Sequence, residues 1–138
     1  MALKKRHTLI FAIIFTAMGL IWVFLYVNRG IADTTKIQAA ETFTTNELLS
    51  KFQHKQEKLE DFIEKVIEIE GEIKEITFQD GKYSLILKGE SDINYILCEM
   101  QANQNSDVVK LEAGQHIQLK GILKGFLMDV ILLHCVII

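Results

Sequence analysis

The pattern of hydrophobic and polar positions changes character twice along this chain, and each regime predicts a different element. From Thr8 to Val27 there is no alternation at all: the run is apolar or neutral throughout and carries no charge. Roughly 20 helical residues at about 1.5 Å each cover about 30 Å, the hydrocarbon thickness of a bilayer. The run therefore predicts a transmembrane helix. Trp22 and Tyr26 lie near its far end, where amphipathic rings favour the headgroup layer.

The second regime has a helical period. Thr44 and Glu47 stand at capping-box spacing, and Leu48, Phe52, Leu59, Phe62, Ile63 and Val66 follow between Lys, Glu and Gln. This spacing predicts one amphipathic helix from about Asn46 to about Lys65, with its stripe packed on its own domain or, alternatively, on a coiled-coil partner.

From Val66 the period drops to two. Ile67, Ile69, Gly71 and Ile73 alternate with Glu68, Glu70, Glu72 and Lys74, the signature of a half-buried strand with an acidic outer face. Ile76 and Phe78 are out of phase with that set, which predicts a bulge near Lys74-Glu75. Asp80-Gly81 predicts a hairpin turn, Tyr83 to Lys88 a second strand, and Ile93 to Met100 a third. Gln101 to Ala113 is polar, with a helical turn expected around Asp107–Glu112. Gly114 opens a fourth strand over 115–123, and Lys124-Gly125 leads to a fifth over 129–138, apolar on both faces. Tyr83 alternates with Leu85 and Leu87, and Tyr95 with Ile93 and Leu97, so both tyrosines are expected in or at the edge of the core. Five short strands, with a longer link between the third and fourth, predict an all-β, five-stranded OB-fold barrel preceded by one amphipathic helix.

Charge sets the orientation. Lys4, Lys5 and Arg6 precede the apolar run, and only Arg29 follows it closely. By the positive-inside rule the N-terminus stays cytoplasmic and the rest of the chain is exported. A cleaved signal peptide is the rival reading, with Gly30-Ile31-Ala32 as its site, but the run exceeds the usual h-region. A lipoprotein anchor is excluded, because no cysteine precedes Cys98. The expected organisation is a basic start and anchor over 1–30, a tether over 31–44, and a helix-plus-barrel domain over 45–138.

All 18 Asp/Glu lie at or after Asp33, against eleven Lys/Arg beyond residue 30, so the domain carries a net −7. Such a charge disfavours nucleic acid, whose binding depends on cationic contacts to phosphate.

Chemistry-bearing residues are few. Cys98 and Cys135 fall on the third and fifth strands, which are neighbours in OB topology. A disulfide between them is permitted outside the cytoplasm, and closing about 38 residues would stabilise by roughly 4 kcal/mol on the chain-entropy model. The alternative is two buried free thiols acting as small hydrophobes. His54, His116 and His134 are isolated in sequence, and the alternation of Glu68, Glu70 and Glu72 reads as a solvated strand face. No nucleophile elbow, metal-ligand spacing or phosphate loop occurs. The sequence thus points to no catalytic residue, cofactor or metal.

Several of these positions together resemble the bacterial tRNA_anti-like family. They are Asn46-Glu47-Leu48-Leu49 opening a charged helix, Val66, Gly71 and Ile73 on the first strand, Cys98, Gly114 ahead of Ile117 and Gly121, and the terminal run through Cys135. The resemblance covers about residues 44–138. It implies an OB-fold related to anticodon-binding barrels, set behind a signal or membrane segment. The Lys-rich aromatic face expected of an anticodon binder has no counterpart here. The expectation is a non-enzymatic, single-pass protein of the bacterial cytoplasmic membrane with its domain on the outer side. Its partner would be an envelope protein or a glycan, and an oligonucleotide is the alternative ligand.

Overall fold

The computed structural model of the chain describes residues 2–27, 33–54 and 57–138, which form two compact units, one ending at Ile31 and one spanning Ala32–Ile138. The first unit is helix α1, Ala2–Val27, on which Phe11, Phe15, Trp22 and Phe24 stand exposed. Among the described residues no helix is long and apolar enough to cross a membrane. The apolar run of the sequence also includes Leu9 and Val27, whose side chains lie outside the described ones.

The second unit is the barrel. It begins with a 3-10 turn, Thr34–Lys36, and a short strand β1, Thr42–Thr44, followed by α2, Thr45–Gln53, and a second 3-10 segment, Glu57–Phe62. Then come β2 (Val66–Gln79), β3 (Lys82–Lys88), β4 (Tyr95–Met100), the short helix α3 (Asn105–Val108), β5 (His116–Phe126) and β6 (Val130–Ile137). The strands join in the order β1-β2-β3-β4-β6-β5, and β2 also pairs with β5, closing a five-stranded mixed barrel with a helix before it. The parallel pair β4–β6 confirms that the third and fifth predicted strands are neighbours.

Local chemistry accounts for most boundaries. The Thr44 hydroxyl accepts from Glu47 N at 3.2 Å and starts α2. The pairing of β2 with β3 slips between Ile73 and Glu75, at the expected bulge. Asp80 and Gly81 take φ of 52° and 79°, the left-handed pair that a tight hairpin demands. The core is formed by Ile67, Ile69, Ile73, Leu85, Leu87, Ile96, Leu119, Leu123 and Leu132, joined by Phe43, Leu48 and Leu49.

Two elements differ from expectation. The single helix over 46–65 is α2 followed by the 3-10 segment. Gln53 and His54, exposed at the end of α2, offer no apolar side chain to hold a further turn against the barrel. The stripe then divides: Phe52 stacks on Phe126 at 5.1 Å, whereas Phe62 meets Phe43 edge-on at 5.5 Å. The expected tether, where described, is fastened to the barrel. Ala40 N donates to Val66 O at 2.8 Å, and β1 pairs parallel to Glu68–Glu70 of β2. Thr34 is fully buried, its hydroxyl donating to the His134 carbonyl and accepting from Gln101 Nε2 at 2.7 Å.

Candidate binding face

Strand alternation assigns two faces to β3, β4 and β6. Leu85, Leu87, Ile96, Cys98, Met100, Val130 and Leu132 point into the barrel and are buried. The opposite set forms rows across the outer surface: Lys88 beside Tyr95, then Ile86, Leu97 and Ile131 in register, then Ser84 beside Glu99. The middle row is apolar across all three strands and only half-buried. Lys82 and Glu99 close its lower edge with an ion pair at 2.8 Å.

Tyr95 belongs to this outer face, which corrects its expected place in the core. Alternation with Ile93 and Leu97 suggests an inward phase, but β4 is apolar on both sides, so periodicity alone cannot say which set faces in. Ile93 is not in the strand at all and is 77% exposed. Tyr83, by contrast, packs at the core edge as expected, 4.6 Å from Phe78. Lys74, lifted out of the ladder at the bulge, lies over the Tyr95 ring with Nζ 3.7 Å from its centroid. The Tyr95 hydroxyl, with Asp92 and Glu75 nearby, raises the pKa of that ammonium. Tyr95 also donates its hydroxyl proton to the Asp92 carbonyl at 3.1 Å.

An open cleft of about 540 Å³ adjoins the face at Lys88. Its walls bring together Glu70 and Glu72 of β2, Glu90 and Asp92 of the β3–β4 loop, and His116 at the start of β5. Lys88 Nζ pairs with Glu72 at 2.7 Å, and Asn46 Oδ1 accepts from Glu90 N at 2.7 Å, tying the loop to α2. Gly71 at the floor allows α2 to approach, since a Cβ there would lie 1.8 Å from Thr45 Oγ1. Four carboxylates thus surround one lysine already held by one of them.

The remaining candidates are dispersed. Cys98 and Cys135 are buried free thiols, so the bridged reading is corrected. Cys98 lies opposite Leu132 and Cys135 opposite Met100, on either side of an irregularity in the β4–β6 pairing. Burial, with a hydrogen bond from Cys98, pushes the Cys135 thiol well above its ordinary value. His54 is exposed at the end of α2. His134 sits on β6 at φ 55°, and its carbonyl, not its ring, takes the bonds from Thr34 and Gln101. Glu68, Glu70 and Glu72 line the outer side of β2, where Glu68 accepts from the Thr42 hydroxyl at 3.1 Å. Among the described residues no three His, Cys, Asp or Glu side chains converge as metal ligands would.

This closed barrel with its preceding helix defines the class as an OB-fold domain. The chain belongs to the tRNA_anti-like family, whose model matches residues 1–137. Among solved structures it is similar to a Klebsiella pneumoniae protein described as a candidate nucleic acid-binding lipoprotein. That match has a TM-score of 0.61 and 15% identity and covers 80% of this chain and 99% of that one. A chain of the S. pombe Stn1-ten1 complex matches 50% of this chain and 53% of its own, at 19% identity and a TM-score of 0.43. No curated protein matches the chain.

Proposed function

We propose that this chain is a non-enzymatic binding module, held at the bacterial cytoplasmic membrane by Thr8–Val27 with its barrel on the outer side. The observation that carries the binding role is the outer row Ile86–Leu97–Ile131, an apolar strip left half-open between Tyr95 above and the Lys82–Glu99 pair below. Apolar area of that kind, rimmed by polar groups, is stabilised by a partner that covers it. Membrane attachment rests on the uncharged run Thr8–Val27 and on the Lys4-Lys5-Arg6 cluster that precedes it. The partner is an envelope protein or a glycan.

A photo-crosslinking residue at Leu97 tests the binding role in intact cells. It should give one saturable adduct that the same probe at Asp107, on α3, does not. Equal labelling from both positions, or none from Leu97, removes it. A reporter enzyme fused after Ile138 and active only outside the cytoplasm tests the topology.

A second reading has one specific observation in its favour. Tyr95 faces outward with Lys74 and Lys88 beside it, as a base-stacking platform would, and a similar structure is described as a candidate nucleic acid-binding lipoprotein. On this reading a single-stranded oligonucleotide occupies the same face. Lys88 is held by Glu72, and the domain carries a net −7, both of which oppose phosphate. Binding of oligo-deoxythymidine that weakens steeply with salt would favour this reading over a protein or glycan.

A further inference from the structure

Among the described residues, the most exposed large apolar side chains of the barrel unit lie on two connections that meet. Leu127 and Met128 form the tip of the β5–β6 hairpin and are 81% and 82% exposed. Ile93, in the β3–β4 loop, is nearly as open. The two connections are joined directly: the Asn94 amide donates to the Met128 carbonyl, and Tyr95 N donates to Asp129 Oδ1 at 2.9 Å. Gln53 Nε2 donates to Asn94 Oδ1 at 3.2 Å and braces the loop from α2. These are held positions, so the apolar groups are presented on a fixed scaffold, which lowers the ordering cost of an association.

The same β3–β4 loop carries the acidic wall of the cleft. Glu90 and Asp92 face the space shared with Glu70 and Glu72, while Ile93, the next residue, stands on the apolar side. The cations nearby are already engaged. Lys88 is paired with Glu72, Lys74 lies over Tyr95, and Lys124 pairs with Glu64 at 2.7 Å. An apolar tip continuous with an excess of carboxylate is complementary to a partner carrying apolar and cationic side chains together, and it repels a polyanion.

We infer that this rim docks a basic, apolar polypeptide segment, whose hydrophobic side chains cover Ile93, Leu127 and Met128 while its Lys or Arg side chains enter the cleft beside Glu70, Glu90 and Asp92. The inference rests on the binding-module reading and names its partner's chemistry. Apolar cover supplies affinity, and the carboxylates set orientation and on-rate.

The test uses the full chain in zwitterionic phosphatidylcholine nanodiscs and three short labelled peptides: one alternating Leu and Lys, one alternating Leu and Glu, and one alternating Ser and Lys. Only the Leu/Lys peptide should bind saturably. Leu127→Ser with Met128→Ser, and separately Glu90→Lys with Asp92→Lys, should each weaken it about tenfold or more. Asp107→Lys, on α3, should leave it unchanged. Binding of Leu/Lys and Ser/Lys peptides alike, or equal loss with Asp107→Lys, would show attraction to net charge alone and overturn the inference. Binding of oligo-deoxythymidine that Leu127→Ser and Met128→Ser weaken would assign the rim to nucleic acid and overturn it too. If the Leu97 crosslink persists while no peptide binds, the module reading stands and this partner chemistry falls. If neither is seen, both fall.

Discussion

The hydroxyl of Thr45 occupies the space that a side chain at residue 71 would need. A Cβ on Gly71 would sit 1.8 Å from Thr45 Oγ1, which itself donates to the Glu70 carbonyl at 3.0 Å. The first turn of α2 therefore rests on β2 through the Thr45 side chain, with none from residue 71 between them. Gly71→Ala should destabilise the domain by about 1–3 kcal/mol through overpacking. In the Thr45→Ala background the same substitution should cost less, because the clashing oxygen is gone. Thermal unfolding of the four proteins in detergent reads the coupling, and strictly additive shifts would refute the contact.

The two thiols give a pH signature. Burial first, and the Cys98 hydrogen bond second, raise the Cys135 pKa well above its ordinary value of about 9. The folded state then keeps a proton that the unfolded chain loses. Stability from this group is full below about pH 9 and declines as the pH rises beyond it. Cys135→Ala should flatten that alkaline decline. Maleimide should label neither thiol in the native protein and both after denaturation without reductant. Labelling that needs reductant would instead reveal a bridge formed in the cell.

The fastening at Thr34 is a buried polar junction, with Gln101, the His134 carbonyl and Thr34 gathered together. Thr34→Val removes a donor from a closed site, which costs about 1–3 kcal/mol. Amide exchange should rise at Ile37 and Ala40, whose N–H groups bond Thr34 O and Val66 O, while Leu85 and Leu119 stay protected. Unchanged exchange at Ala40 would mean that β1 alone holds the segment.

His134 takes a left-handed backbone conformation, φ 55°, inside β6. A β-branched residue tolerates that poorly and asparagine tolerates it well. His134→Val should lower stability by about 1–2 kcal/mol, and His134→Asn should be near neutral. Equal losses in both would transfer the role from the backbone to the imidazole ring.

The regular elements were legible wherever one period dominated. Ile67, Ile69, Gly71 and Ile73 on one side of β2, the bulge at Lys74, the Asp80-Gly81 turn and the Thr44 cap all arise from local chemistry. Legibility failed where a segment is apolar on both sides. β4 reads in either phase, so periodicity alone does not place Tyr95 on the outer face. No local signal could have found the rim either, because Ile93 and Met128 are 35 residues apart and meet only through Asn94.

The sequence by itself determined the uncharged N-terminal run, the acidic balance of the chain beyond residue 30, and the order of strands and turns. Those depend on composition and on contacts between near neighbours. Tertiary structure alone decided that residues 33–44 fasten to the barrel, that the cysteines lie side by side in the core as free thiols, and that Tyr95 faces out. It also decided that four carboxylates, two from β2 and two from the β3–β4 loop, share one cleft. Each of those depends on which strand is laid beside which and in what register. Barrel closure fixes that register through burial of the whole core at once.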